Sequence, residues 1–246
     1  MPEGPEVRHA CSLLDLFAIA VEDKPVIEII EHRKDEPSKP IFEELNGQIF
    51  RGTRRKGKVW VLDFDTHSIV GHFAMWGHFV LNDRNAKHIR KEIVFSKNLK
   101  IKYCDMRNWG RMEIVAKESV NDTKMIAKLG YDVSVPFDKD EAFKILRTHP
   151  NSVIADLLLN QTVLTGLGNI WRAEAIGRAN LDALRTIDSL SDEELTLLVD
   201  KIDHVMNRGG NTWWEIYRQP VRPSTHQEVL ATKRKGRTLW HLNFNQ

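Results

Sequence analysis

The chain has 246 residues, of which 41% are hydrophobic and 28% charged, with a formal net charge of +2. That composition excludes a disordered chain and suffices for one large core or two modest ones, while the small net charge says little about a polyanionic partner. No apolar run is long enough to span a bilayer, the start lacks the layout of a signal peptide, and Cys11 and Cys104 form no CxxC pair. An intracellular protein with two buried free thiols and no disulfide framework is therefore expected.

In chain order, Val7–Val21 carries apolar residues at helical spacing (Val7, Ala10, Cys11, Leu14, Phe17, Ile19) and predicts one amphipathic helix after a Pro-Glu-Gly-Pro start. From Val26 to about Val115 the pattern changes to short β-branched or alternating stretches: Val26–Glu31, Lys58–Phe64, Ser68–Leu81, Ile93–Phe95, Ile101–Cys104 and Met112–Val115. Turn residues separate them, which reads as a β-sandwich or barrel. Asp132–Asp140, with Pro136 and several acids, is a linker. Helical spacing returns in Ala142–Arg147, Val153–Leu159, Asn169–Arg178 and Asp192–Asn207, the last with Ser191 as its N-cap. Glu228–Thr232, a basic turn Lys233–Gly236 and Arg237–Phe244 predict a closing β-hairpin. The expected domains are 1–131, an N-terminal helix plus sandwich, and 132–246, helical and ending in a hairpin finger from about 213.

Charge is clustered. Arg51, Arg54, Arg55, Lys56 and Lys58 occur together without an acid, and Lys233, Arg234, Lys235 and Arg237 form a second group. By themselves these read equally well as solvated turns. At the start, a small second residue favours removal of Met1, which leaves Pro2 with a secondary α-amine. Such an amine titrates near pH 8, so a useful fraction is neutral and nucleophilic at neutral pH. It can attack a sugar C1′ and form an iminium. Glu3 is adjacent and suited to general acid/base work.

These motifs together resemble the formamidopyrimidine-DNA glycosylase/endonuclease VIII family along the whole chain. MPEGPEV is similar to the family's N-terminal signature, which implies Pro2 as nucleophile and Glu3 as acid/base. RRKGKVW resembles the basic β-hairpin whose lysine, here Lys58, reaches a phosphate beside the lesion. HFAMWG, beginning at His72, resembles the loop that presents a methionine wedge, here Met75. CDMRNWG resembles a second intercalation loop, with Arg107 and Trp109 in the arginine and aromatic positions. LLLNQTVLTGLGNIWRAEAI resembles the helix–two-turn–helix motif, with Gly168 and Asn169 at a phosphate. GRTLWHLNFNQ resembles the last strand of the family's finger, with Arg237 gripping a phosphate.

The resemblance implies an α+β fold: a helix plus an eight-stranded β-sandwich, then the helix–two-turn–helix domain with its finger. It implies a monomeric bifunctional DNA glycosylase and abasic-site lyase acting on damaged double-stranded DNA. Apolar and planar wedges would fill the gap left by a base taken out of the stack. The wedge arginine would hydrogen-bond the widowed opposite base. Two departures modify the picture. Leu242 and Asn245 stand where the finger has cysteines, and His226 and His241 do not replace them, so a zincless finger with no metal or organic cofactor is expected. Asn211–Thr212 leads almost directly into WWEIYRQPVRP, leaving little chain for a lid over 8-oxoguanine. With the MPEGPE start, this points to oxidised pyrimidines and ring-opened or hydantoin purines. Met75, Arg107 and Trp109 pull the other way, towards an enzyme preferring 8-oxoguanine and formamidopyrimidine. A non-catalytic damaged-DNA-binding protein is the remaining alternative.

Overall fold

The computed structural model describes residues 2–33, 36–208 and 214–244. The chain folds into two compact units, one holding Pro2 and residues 7–127, the other residues 3–6 and the chain from 128 onward.

In the first unit, the part of α1 (Gly4–Ala20) from Val7 onward turns Val7, Cys11, Leu14 and Phe17 to one face. All four are buried, whereas Ile19, which the sequence pattern places on the apolar face, is exposed. That face joins the core between two antiparallel sheets. The strands are β1 (Glu28–Glu31), β2 (Lys39–Ile41), β3 (Gly52–Lys56), β4 (Val59–Asp63), β5 (His67–His72), β6 (His78–Leu81), β7 (Ile89–Ser96), β8 (Leu99–Cys104) and β9 (Arg111–Ala116). One sheet runs β2-β1-β7-β8-β6 and the other β3-β4-β5-β9. The sandwich thus has nine strands among the described residues rather than eight. Two of them, β2 and β3, fall outside the stretches read from the sequence; β2 is three residues long with Pro40 at its centre, a sequence tolerated at a sheet edge because proline lacks a ladder donor. The stretch Ser68–Leu81 divides into β5 and β6 around residues 73–77. Cys11 and Cys104 are free and buried, as expected, and burial pushes the Cys11 thiol up to about 11.

The second unit packs α2 (Lys139–Arg147), α3 (Ile154–Leu157), α4 (Asn169–Arg178) and α5 (Asp192–Arg208) around Leu146, Ile154, Leu164, Trp171 and Ile202. Asp138 caps α2 by accepting from the amides of Asp140 and Glu141. Ser191 and Glu194 close α5 reciprocally, each side chain accepting the other residue's amide. A two-residue parallel pair, β10 (Tyr131–Asp132) with β11 (Leu164–Thr165), ties the entry of the unit to the segment before α4. The closing hairpin is β12 (Val229–Arg234) and β13 (Arg237–Leu242). Its turn is only Lys235–Gly236, both at positive φ, the tight geometry that suits strand twist.

Apolar packing holds this hairpin. Leu239 is fully buried in the helical core, and Leu242 is 1% exposed against Ala173, Ile216 and Val229. The buried Glu174 carboxylate accepts the amides of Glu215, Ile216 and Tyr217, each at 2.9 Å, and so anchors the chain entering the finger. The donor set does not fit a zinc centre: Leu242 is part of an apolar cluster, and Asn245 lies outside the described residues. Among the described residues no group of three or more His, Cys, Asp or Glu side chains could hold a metal ion. Within the same residues no helix is long and apolar enough to cross a membrane.

Because this small apolar core holds the hairpin, Leu242→Ala should cost about 2–5 kcal/mol in urea unfolding. Chelator should leave the wild-type Tm unchanged. A chelator-sensitive Tm would show that metal, not Leu242, organises the finger.

Candidate functional site

In the second unit the site is built around one carboxylate. Glu3 is buried, and its Oε1 and Oε2 accept the amides of Ile170 (3.0 Å) and Trp171 (3.2 Å) in the first turn of α4. These are two of the donors a helix N-terminus leaves unpaired, where negative charge is favoured. Glu6 supports the arrangement by accepting the Glu3 amide and the Trp171 indole Nε1–H. Gly4 donates its amide to Gly166 O at 2.9 Å. Gly168 meets a steric requirement that its sequence context does not reveal. A Cβ there would stand 2.2 Å from the Glu3 carboxyl carbon, so its first requirement is room for Glu3.

Asn169 opens α4, and both ends of its carboxamide are occupied. Nδ2 donates to Thr238 O of the hairpin at 2.9 Å, and Oδ1 accepts from Arg172 Nη2 at 2.6 Å. Arg172 is buried, also donates to Ala155 O, and leaves its Nε without a partner. Burial pulls this guanidinium down to about 10; Asp156 and Glu3 oppose the shift, while Arg237 and Arg234 add to it. It remains charged at neutral pH. The basic turn is not simply solvated: Arg234 forms a two-point ion pair with Asp156, and Lys235 reaches the same carboxylate. Those two cations hold the Asp156 carboxyl below its usual range against the upward push of burial. Arg237 stays exposed at the start of β13.

In the first unit, Lys58 sits with Gly57 in the turn between β3 and β4 and is half-buried. Of the neighbouring cations, Arg54 is paired with Asp63 and Arg51 with Asp65. His72 ends β5, and its Nδ1 accepts the Ala74 amide at 3.2 Å. Burial, aided by Arg111, lowers the basicity of this imidazole, which suits an acceptor nitrogen. It secures a short loop in which Ala74 adopts a left-handed backbone and Met75 is exposed.

The second loop, residues 105–110, hangs on Asp105. Its carboxylate accepts the amides of Arg107 (3.0 Å), Trp109 (2.8 Å) and Gly110 (2.8 Å). Burial pushes this carboxyl up, but the backbone donors together outweigh it and hold it below the usual range. Both loops close on the hydroxyl of Tyr103, whose ring is buried in the sandwich core beside Trp60, Phe73 and Phe79. A Cβ on Gly110 would meet the Tyr103 hydroxyl at 1.7 Å and one on Gly77 at 2.5 Å. The outcome is an exposed group from two loops: Met75, Trp76, Met106, Arg107 and Trp109.

The structure therefore gathers His72, Met75, Arg107 and Trp109 in one unit, and Glu3, Gly168, Asn169 and Arg237 in the other. Pro2, half-buried, belongs with the first unit although Glu3 belongs with the second. Sequence reasoning passed over Glu6, Trp76, Asp105 and Arg172. Arg172 was legible as the residue one helical turn from Asn169. Asp105 was legible as an acid at the head of a polar turn.

Comparison with known proteins adds three findings. The formamidopyrimidine-DNA glycosylase N-terminal domain model matches residues 1–112, and the H2TH domain model of the same glycosylase matches residues 129–212. A formamidopyrimidine-DNA glycosylase of Bacillus cereus is 30% identical over 94% of this chain and 87% of its own length. One from Enterococcus faecalis is 29% identical over 86% and 79%. In fold, the Lactococcus lactis Fpg solved with abasic-site DNA superposes with a TM-score of 0.82 at 21% identity, covering 98% of each chain.

Asp105→Asn replaces one acceptor oxygen by a donor facing the loop amides and should cost about 1–3 kcal/mol. The wild-type carboxyl is depressed in the folded state. Its contribution to stability is therefore complete above the ordinary Asp pKa near 4 and fades as pH falls from there through the folded value. Amide exchange at Trp109 and Gly110 should follow that acid limb in wild type and lose it in the variant. Equal protection in both proteins would remove Asp105 from this role.

Proposed function

The chain belongs to the formamidopyrimidine-DNA glycosylase family, and on that premise we propose that it is a bifunctional DNA glycosylase and abasic-site lyase acting on damaged double-stranded DNA. The observation that carries this reading is the pinned Glu3 carboxylate, which fixes the residue next to Pro2 against the N-terminus of α4.

With Met1 removed, the Pro2 amine attacks C1′ of the extruded nucleotide. The bond from C1′ to the damaged base breaks, and the base leaves with the bonding pair and takes up a proton. The sugar opens as the C1′–O4′ bond breaks and O4′ is protonated, with Glu3 assisting these proton transfers. The resulting iminium withdraws electrons, so loss of a C2′ proton expels the 3′ phosphate, and a further elimination expels the 5′ phosphate. Lys58, Asn169 and Arg237 would hold phosphates, while Met75, Arg107 and Trp109 fill the gap in the stack, with His72 and Gly168 shaping the loops around them. Each step uses the chain's own groups and the DNA, and none calls on a metal or organic cofactor.

For the lesion, the reading is oxidised pyrimidines and ring-opened or hydantoin purines. Residues 209–215 are all the chain available between the end of α5 and Ile216, whose amide Glu174 holds. That is short for a lid over a purine, and residues 209–213, including Asn211 and Thr212, lie outside the described residues.

Borohydride trapping on duplexes carrying thymine glycol, 8-oxoguanine or an abasic site tests the reading. A covalent adduct on the N-terminal residue is expected, strongest with thymine glycol and the abasic site. Pro2→Gly should retain binding and lose most of the adduct, and Glu3→Gln should impair base removal more than cleavage of a preformed abasic site. Absence of any adduct from folded protein lacking Met1 would leave a DNA-binding protein without this chemistry. A ranking led by 8-oxoguanine would overturn the lesion preference alone.

A further inference from the structure

Trp76 has no assigned part in the wedge, yet the geometry ties it to one. Its indole is 47% exposed, and the Arg107 guanidinium carbon lies 5.7 Å from its ring centroid. The same carbon lies 4.7 Å from the ring of Trp109, which is 52% exposed. Both distances are in the range where a guanidinium is attracted to an aromatic face. The indoles come from two loops, each fixed at its base. Gly77 donates to Phe73 O, His72 takes the Ala74 amide, and Asp105 takes the amide of Trp109. Arg107 is the long, rotatable member of the group, and the two rings are the surfaces against which it rests.

We propose that Trp76 is a positioning residue that fixes the plane of the Arg107 guanidinium and thereby sets how strongly the protein discriminates among the bases opposite an extruded nucleotide. This rests on the proposed engagement of damaged duplex DNA. An unpaired base exposes its Watson–Crick edge, and a guanidinium offers only donors, in a planar fork. Held in the plane of the base, that fork fits two adjacent acceptors, such as O2 and N3 of cytosine. It meets a donor in the amino group of adenine. A guanidinium free to tilt finds some acceptor on every base and loses the distinction. The second indole supplies the restraint: with Trp109 alone, Arg107 has one surface and can rotate away from it.

Fluorescence anisotropy on four duplexes bearing a tetrahydrofuran abasic analogue opposite C, A, G or T reads this without requiring catalysis. Wild type should bind the cytosine duplex more tightly than the adenine duplex. Trp76→Ala should shrink that ratio about three- to tenfold, and Trp76→Phe, which keeps an aromatic face, should preserve most of it. Arg107→Ala should abolish the preference, and adding Trp76→Ala to it should change nothing further, because the two act as a unit. The proposal is overturned if wild type shows no preference, if Trp76→Ala keeps the wild-type ratio, or if the double variant loses discrimination beyond Arg107→Ala. Trapping of wild type on a natural abasic duplex is a separate readout. Its failure with these ratios intact would remove the lyase reading and leave Trp76 in its role.

Discussion

The hydrogen bonds from the first turn of α4 to the Glu3 carboxylate are the constraint on which the second unit's functional geometry depends. A helix start leaves amides without partners, and burying them unpaired costs about 1–3 kcal/mol each. Here a residue distant in sequence supplies the acceptor. The consequences spread through named neighbours. Glu3 occupies the space a side chain at Gly168 would need, and Gly4 donates its amide to Gly166 O where a Cβ would meet Ser134 and Met206. Glu6 takes the Trp171 indole that α4 turns inward. With α4 fixed in this way, Asn169 stands at its first position, between Arg172 and the hairpin carbonyl of Thr238. Under the proposed function one carboxylate serves two ends, capping a helix and assisting chemistry at the adjacent Pro2.

Irregular backbone in this chain is repeatedly captured by a buried acid. Asp105 gathers three amides of one exposed loop, and Glu174 gathers three at the entry to the finger. Buried amides without a strand or helix partner must be satisfied somehow, and a carboxylate with several lone-pair sites satisfies several at once. The device gives a loop a defined shape while leaving its tip outside any sheet. That is what an exposed set such as Met75, Trp76, Arg107 and Trp109 requires: rigid supports with apolar surface turned outward.

Periodic features were legible in the sequence, and long-range ones were not. The bounds of α4 could be read directly because Gly168 and the following apolar spacing mark the start of a helix. The closing hairpin could be read because Lys235–Gly236 favours a tight turn between alternating strands. β2 was not visible, since three residues around a proline carry no period of their own and depend on pairing with β1. A second reason for Gly168 was hidden in the same way. A glycine announces that something is close, but only the fold reveals that the neighbour is Glu3. Arg234 and Lys235 read as a solvated turn because their partner, Asp156, lies far away in the chain. Trp76 was passed over because one aromatic beside a wedge methionine reads as core until Arg107 is seen against its ring.

In the closing hairpin, packing and charge divide the work of holding β13. Leu239 and Leu242 bury opposite faces of β13 in two separate apolar clusters, which fixes the strand's depth but not its position along the helices, because apolar contacts are not directional. Direction comes from two polar ties, Asn169 to Thr238 O and Asp156 to Arg234 and Lys235. Both lie near the turn, so the part of the hairpin carrying Arg237 is the part held most specifically. The cost is a concentration of like charge: burial lowers the basicity of Arg172, Arg237 and Arg234 add to that, and Asp156 and Glu3 oppose it. Asp156 is already shared among cations and Glu3 is engaged with α4. Under the proposed function, a DNA phosphate held by Asn169 and Arg237 would add negative charge against this concentration of cations.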